Sequence, residues 1–288
     1  MAITDIEYLR FNYESSLLRE IETRLGAIPT IGQIQSQNFL ALRKRNLLGD
    51  AMLISPDVLP EVYEIYTNCL NLFGNDLHGN LFVRQSKEYN ANIFSHNKKF
   101  DLLIHSALLE DFTPNELSFV LGHELGHVLL GHSQVSMLDL LKLIEDLKPG
   151  LISPETKDLM YRWARAAELS ADRVGLLCCG KLEPAAKALF LTLSGLSGIS
   201  IDRILKSFHT QYNFLEAHME KLSDGQSWIG THPMIPIRFK ALELAALDII
   251  LLRNQPDVFS QKGFRKVDQK ISSILLTLDK YLAGCNEI

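Results

Sequence analysis

Two histidines and a glutamate near the middle of the chain have the types and the spacing of a hydrolytic metal centre. They lie in the stretch LGHELGHVLLGH, residues 121–132, as His123, Glu124 and His127. On a helix, residues four positions apart are about 40° apart and one turn displaced, so both imidazoles project from the same face. Two imidazole nitrogens at this spacing can bind one zinc ion, and the glutamate between them can take a proton from water that the metal activates. The motif therefore predicts a metal ion with a general base beside it.

A packed, hydrogen-bonded histidine pair on an apolar helix is the competing interpretation. The neighbours Val120, Leu129 and Leu130 are apolar, so the three polar groups fall inside a helix that has a buried face. Burying them without a metal ion is costly unless every group finds a partner. The metal interpretation is favoured.

A catalytic zinc ion needs a third protein ligand, and His132 is a poor candidate for it. In the metzincin pattern the third histidine follows the first by ten residues, and that position holds Ser133. We expect His132 to flank the site or to lie at the surface.

The better candidate for the third ligand lies 41 residues after His127, in WARAAELSADRVG. Glu168 and Asp172 are four residues apart and share a helix face. We assign Glu168 as the ligand, and Asp172 can accept the second ring N–H of His123 or His127. The small residues Ala166, Ala167 and Ala171 let another helix approach closely. The alternative is a solvated charged face with i,i+4 ion pairs, formed by Arg165, Glu168, Asp172 and Arg173.

Local signals define the two helices that carry these residues. Thr113-Pro114-Asn115-Glu116 has the form of a capping box with proline at the first helical position. Ser153-Pro154 begins the second helix, and Gly180 ends it.

The rest of the chain predicts an α+β fold that is mostly helical. Helices are expected over residues 14–25 and 57–73 and from residue 113 almost to the end, and a small sheet of three or four strands precedes the motif helix. The expected strands are 81–85, 92–96 and 100–105. We divide the chain into an N-terminal helical segment (1–75), a zinc-binding domain (76–255) and a C-terminal helix (256–288). Residues 134–152 have the pattern of an amphipathic helix. This helix either covers the cleft as a lid or packs against the core.

Composition excludes some functions and favours one compartment. The net charge of −5 gives no reason to expect nucleic-acid binding, and the run Arg43-Lys44-Arg45 is better explained as a solvated helix face.

The longest uncharged run, residues 188–201, is shorter than the roughly 18 apolar residues of a membrane span. The N-terminus is not typical of a signal peptide. The four cysteines lack CxxC spacing and read as reduced packing thiols. We expect a cytoplasmic protein without a transmembrane span.

HELGH followed by ELSAD resembles the gluzincin metallopeptidases. The resemblance is to the HtpX-like and CAAX-prenyl-protease group, family forty-eight of the metallopeptidases (the minigluzincins). His132 falls where members of that group often carry a histidine. The segments NANIF (90–94) and THPMIPIR (231–238) are similar to further segments of the family. The resemblance covers roughly residues 80–245.

The resemblance implies a zinc endopeptidase with one zinc ion per chain, acting on peptides or unfolded proteins. It implies that His123, His127 and Glu168 bind the metal and that Glu124 is the base. The resemblance also implies that His232 and Arg238 lie near the site. His232 would donate a hydrogen bond to the developing oxyanion, and Arg238 would pair with Asp172 or Glu168. The alternative for His232 is a residue that only forms the turn before Pro233. It also implies that Asn90 or Asn92 lies at the cleft edge, and that the strand FDLLIH (100–105), with Leu102 and Leu103, pairs with extended substrate.

A latent or non-catalytic zinc-binding protein, with a scaffold or regulatory role, is the second hypothesis from the sequence. The zinc ion would then be a structural element of a helical scaffold, and residues 200–283 would bind partners. A closed site with four protein ligands, His132 included, favours that hypothesis.

Overall fold

A computed structural model describes residues 3, 5–25, 44–74, 77–96, 99–132, 141, 145–146, 149–218, 234–256 and 262–283. The fold is mostly helical, with one small mixed sheet, as the sequence predicts. A 3-10 turn, Ile6–Leu9, precedes the first helix, and residues 44–50 are also helical. The other helices are α1 (Asn12–Leu25), α2 (Pro60–Asn71), α3 (Ser106–Asp111), α4 (Pro114–Leu129), α5 (Pro154–Cys179), α6 (Leu182–Ser194), α7 (Ile201–His218), α8 (Ile235–Asn254) and α9 (Lys262–Ala283).

The sheet has four strands in the order β1-β2-β4-β3. They are β1 (Met52–Ile54), β2 (His78–Arg84), β3 (Ala91–His96) and β4 (Lys99–His105). β2 and β4 are parallel, with Leu81 opposite Leu102, whereas β3 is antiparallel to β4, with Ala91 opposite Ile104. The sheet leads directly into α3 and α4, so its position fixes where the motif helix begins.

Two expectations about the sheet are corrected. The strand over 100–105, which we expected to pair with extended substrate, has no free edge for it, because β4 pairs with β2 on one side and with β3 on the other. The main-chain groups of Leu102 and Leu103 are therefore engaged inside the sheet, and both side chains are buried. The second correction is β1, which lies in the N-terminal segment 1–75 that we assigned as helical, and which pairs with β2.

Both helices that carry the motifs begin where the sequence predicts, and the second also ends where it predicts. Thr113 accepts a hydrogen bond from the N–H of Glu116 at 3.4 Å, and the Glu116 carboxylate accepts one from the N–H of Thr113 at 2.8 Å. Ser153 caps the start of α5, and Gly180 ends it with a left-handed φ of 71°. These caps satisfy main-chain groups that would otherwise lack partners at the helix ends.

The core consists of two main clusters, and α5 contributes side chains to both. One joins the sheet to α4, α6 and α8, and the other joins α1, α5 and α9. Within the described residues, α1 packs on α5, the helix that carries Glu168, and α9 packs on α1 and α8. The pair of Asp268 with Arg173 also links α9 to α5. The three-part division of the chain stays a prediction.

Three of the four cysteines are buried thiols, as the sequence predicts for packing residues. They are Cys69, Cys178 and Cys179; Cys285 lies outside the described residues. Burial raises the pKa of Cys179 to about 11, so its thiol is protonated at neutral pH.

None of the helices in the described part of the chain is both long enough and apolar enough to cross a bilayer.

Candidate metal centre

Glycines let α4 and α5 approach closely, and this approach brings the two motifs together. A Cβ atom on Gly122 would lie 2.6 Å from Cβ of Cys178, and one on Gly126 would lie 2.9 Å from Cα of Ala171. On the other helix, a Cβ atom on Gly175 would lie 2.7 Å from the carbonyl oxygen of Phe119. Because no larger side chain fits at these crossings, the small residues of both helices set the distance between their axes.

His123, His127 and Glu168 converge at this crossing, as expected. The two histidine Nε2 atoms are 3.2 Å apart. The Glu168 carboxylate oxygens lie 3.5 Å from Nε2 of His123 and 3.4 Å from Nε2 of His127. Two ligand atoms that each lie about 2.1 Å from one zinc ion, at a tetrahedral angle, are about 3.4 Å from each other. The three side chains therefore have the separations of ligands that share one metal ion, and together they could hold one.

Asp172 and Arg238 fix the orientation of His123. Oδ1 of Asp172 lies 2.9 Å from Nδ1 of His123 and 2.6 Å from one Arg238 nitrogen, and Oδ2 accepts a second bond from Nε of Arg238 at 2.8 Å. Burial alone would raise the pKa of Asp172, but Arg238 and His123 outweigh it and hold that pKa below the ordinary value. An ionised Asp172 accepts the Nδ1–H of His123, which directs the Nε2 lone pair toward Glu168 and His127.

The charged residues of α5 do not form a solvated face. Arg165, Glu168, Asp172 and Arg173 are all buried, with 7%, 6%, 1% and 2% of their surfaces exposed. Arg173 pairs with Asp268 of α9, and Arg238 lies 3.5 Å from Glu168 in addition to its bonds with Asp172. That alternative interpretation is wrong, because the close approach of α4 and the helices of both chain ends cover these side chains.

His132 flanks the site but is not at the surface, since only 5% of it is exposed. Its Nδ1 lies 3.0 Å from Nδ1 of His127, and its Nε2 lies 3.0 Å from Oε1 of Glu14. His132 therefore contacts His127 at Nδ1, and not at Nε2, where His127 meets His123 and Glu168. A fourth ligand from His132 is not consistent with this geometry.

The other expected site residues are distributed as follows. Glu124 lies on α4 between the two histidines and is half-buried. Asn92 is half-buried in β3, and this strand packs against α4. Asn90 is exposed and precedes β3, and its main-chain carbonyl accepts a hydrogen bond from the N–H of His105 at 3.0 Å. His232 and most of the 134–152 segment lie outside the described residues.

Sequence reasoning missed a buried polar cluster around Glu14 of α1. Glu14 has no exposed surface, accepts a hydrogen bond from the hydroxyl of Ser170, and pairs with Arg10. A signal for it exists in the sequence. Glu14 has the same helical phase as Leu17, Ile21 and Leu25, so it is an acid on the apolar face of α1.

Comparisons with known proteins match this chain to one family of peptidases. The sequence model of peptidase family M48 matches residues 61–246, more than half of the chain. The plastoglobule-localized metallopeptidase 48 of Arabidopsis thaliana, described as chloroplastic, is 28% identical over 185 residues, which are 61% of this chain and 54% of that protein. Metalloprotease LoiP of Escherichia coli is 35% identical over 74 residues, which are 25% of this chain and 28% of that protein. The matches thus span about half or less of these relatives' lengths. No solved structure matches significantly.

Proposed function

This chain belongs to peptidase family M48, and we propose that it is a zinc-dependent endopeptidase with one zinc ion bound by His123, His127 and Glu168. The observation that carries the proposal is how close the three ligand groups lie. The two Nε2 atoms are 3.2 Å apart, and each is 3.4 to 3.5 Å from one of the two Glu168 carboxylate oxygens. The two nitrogen-to-oxygen distances exceed the usual range of N–H···O hydrogen bonds, whereas they suit atoms that share an ion. Two neutral imidazoles and one carboxylate are also a donor set that zinc prefers.

The proposed chemistry is hydrolysis of a peptide bond by water. Zinc in this site would lower the pKa of water toward about 7 and polarise the carbonyl of the scissile bond. Glu124 takes the proton of the attacking water and passes it to the leaving amine. Asp172 and Arg238 hold His123 in the tautomer that ligation requires, with Arg238 compensating the buried charge of Asp172.

His232 is proposed to donate to the oxyanion that develops on the substrate carbonyl. The proposal depends on the similarity of THPMIPIR to the family segment and on Arg238, six residues further on, which lies beside Asp172. A donor of this kind usually contributes about 3 kcal/mol to the transition state. If the role is real, His232→Phe lowers turnover about 100-fold while zinc affinity stays unchanged; unchanged turnover removes His232 from the mechanism.

The peptide substrate is proposed to extend the sheet at β3. β3 pairs with β4 on one side, and among the described strands none pairs with its other side. It packs against α4, which carries the two histidines, so a peptide added there would run beside the metal. Asn92 lies in this strand and Asn90 precedes it, which makes them better candidates for substrate contact than Leu102 and Leu103.

The first experiment is cleavage of an unfolded peptide library by the zinc-loaded protein. We expect wild-type cleavage, loss of cleavage with retained zinc in Glu124→Gln, and loss of both in His127→Ala. A Glu124→Gln protein that still cleaves contradicts the mechanism. A wild type that binds zinc but does not cleave favours the zinc-binding scaffold instead. The orientation of His132 argues against that alternative, because the described part of the chain supplies only three side chains to this cluster.

A cytoplasmic location stays a prediction from the sequence, as does the absence of nucleic-acid partners.

A further inference from the structure

A chain of short contacts leads from His127, on the side away from the ligand cluster, to the N-terminal helix. Nδ1 of His127 is 3.0 Å from Nδ1 of His132, and Nε2 of His132 is 3.0 Å from Oε1 of Glu14. We propose that His132 and Glu14 are positioning residues that hold His127 as a metal ligand. The inference rests on the proposed function and adds α1 to the metal centre.

The positions of the protons follow from the partners. A carboxylate only accepts hydrogen bonds, so Nε2 of His132 carries a hydrogen and donates it to Glu14. An Nδ1···Nδ1 contact is attractive only when one of the two nitrogens carries a hydrogen. Ligation through Nε2 of His127, the atom that faces His123 and Glu168, requires the hydrogen of His127 to be on Nδ1. Nδ1 of His132 therefore accepts that hydrogen.

Glu14 is held by donors other than His132 as well. Its side chain has no exposed surface and pairs with Arg10. Ser170 donates to the other carboxylate oxygen of Glu14, so the acid is held from several sides.

Further contacts keep this part of the N-terminal segment in place. The main-chain N–H of Phe11 donates to the hydroxyl of Ser170 at 3.0 Å, which ties the start of α1 to α5. Arg10 donates to the carbonyl of Leu130 at 2.8 Å, at the end of the motif helix. Residues 10–14 therefore lie behind His127 and support it from the side away from the ligand cluster.

The rival explanation is that His132 only fills space, because its ring packs edge-to-face on Trp163 with 5.6 Å between centroids. Two substitutions separate the explanations. In His132→Asn the amide oxygen is three bonds from Cα, as Nδ1 is in histidine, so it can accept from His127, but the ring is lost. His132→Phe keeps a ring and loses the acceptor.

The test is the zinc affinity of both variants, measured by competition with a chromogenic chelator. Changes to the partners of metal ligands typically lower metal affinity about 10–100-fold, and we expect a loss in that range for His132→Phe. His132→Asn is expected to bind zinc at least about 5-fold more tightly than His132→Phe, the effect of one hydrogen bond. Equal affinities, or tighter binding by His132→Phe, would overturn the proposal in favour of packing.

Glu14 has a matched control in Asp268. Both are buried acids at contacts between a chain end and α5; Asp268 pairs with Arg173 and accepts the N–H of Asn12 at 3.0 Å, but contacts neither His127 nor His132. Glu14→Gln is expected to weaken zinc binding about 10-fold, whereas Asp268→Asn leaves the affinity unchanged. Equal losses in both variants would mean that Glu14 acts only through stability.

The wild type provides a test that does not depend on variants folding. In the protein labelled with ¹⁵N-histidine, NMR at neutral pH is expected to show His132 with one ring hydrogen, on Nε2. A hydrogen on Nδ1, or on both nitrogens, overturns the proposal. If the wild type binds no zinc, the proposed function fails, but the hydrogen position on His132 still decides whether the contact chain exists as described.

Discussion

Gly126→Ala tests whether the distance between α4 and α5 determines the metal centre. The added methyl would lie 2.9 Å from Cα of Ala171 and 3.0 Å from Cβ of Val174, whereas ordinary contacts begin at 3.4 Å. The helices must therefore separate by about 0.5 Å, which is more than the tolerance of about 0.2 Å on metal–ligand distances. Because Glu168 is on one helix and the histidines are on the other, we expect zinc affinity to fall.

The cost to stability follows from the same contacts. Overpacking a core costs about 1–3 kcal/mol, and the better helix propensity of alanine offsets about 1 kcal/mol of it. We expect the metal-free Gly126→Ala protein to lose up to about 2 kcal/mol in urea unfolding, and zinc affinity to fall about 10-fold or more by chelator competition. Gly49→Ala is the control, because a methyl there meets nothing within 4 Å. A Gly126→Ala protein with wild-type stability and zinc affinity would refute the reasoning.

Three further outcomes are expected. Free zinc at about 100 times its Kd stabilises the folded protein by about 2.7 kcal/mol. Removal of the zinc by a chelator should therefore lower the Tm by several degrees in calorimetry. An unchanged Tm contradicts zinc binding by the folded state. Thr113→Ala removes the acceptor at the start of α4 and lowers the free energy of unfolding in urea by about 1 kcal/mol; no loss would mean that the cap is not formed. Since the pKa of Asp172 is lowered by folding, its ionised form contributes stability above its ordinary pKa of 3.8, and this is lost as the pH falls further. The stability difference between wild type and Asp172→Asn should therefore be constant near neutral pH and shrink below pH 3.8; a difference that grows on acidification would reverse the assigned sign.

The sequence predicts the two motif helices well because their signals are local. Thr113 to Glu116 form the expected capping box, and α5 begins after Ser153 and ends at Gly180. The pairing of His123 with His127 follows from helical periodicity alone. These features need only a few neighbouring residues to be interpreted.

The sheet and the polar cluster behind His127 could not be predicted in the same way. β1 has only three residues, and its place depends on pairing with β2, which follows it at a distance in the chain. The central position of β4 depends on which strand pairs with which, and strand composition does not encode that order. Glu14 and His132 are 118 residues apart, so nothing local indicates their contact.

The cluster around the metal centre also has a consequence for how the protein is made. Its members are Glu14, His127, Glu168 and Arg238, which come from widely separated parts of the chain. Contacts at such separations form only after large loops close, and a ribosome releases the N-terminal part first. A nascent chain that ends before residue 238 lacks the partner that compensates Asp172. On the proposed function, synthesis past Arg238 therefore precedes peptidase activity, and shorter nascent chains do not act as proteases.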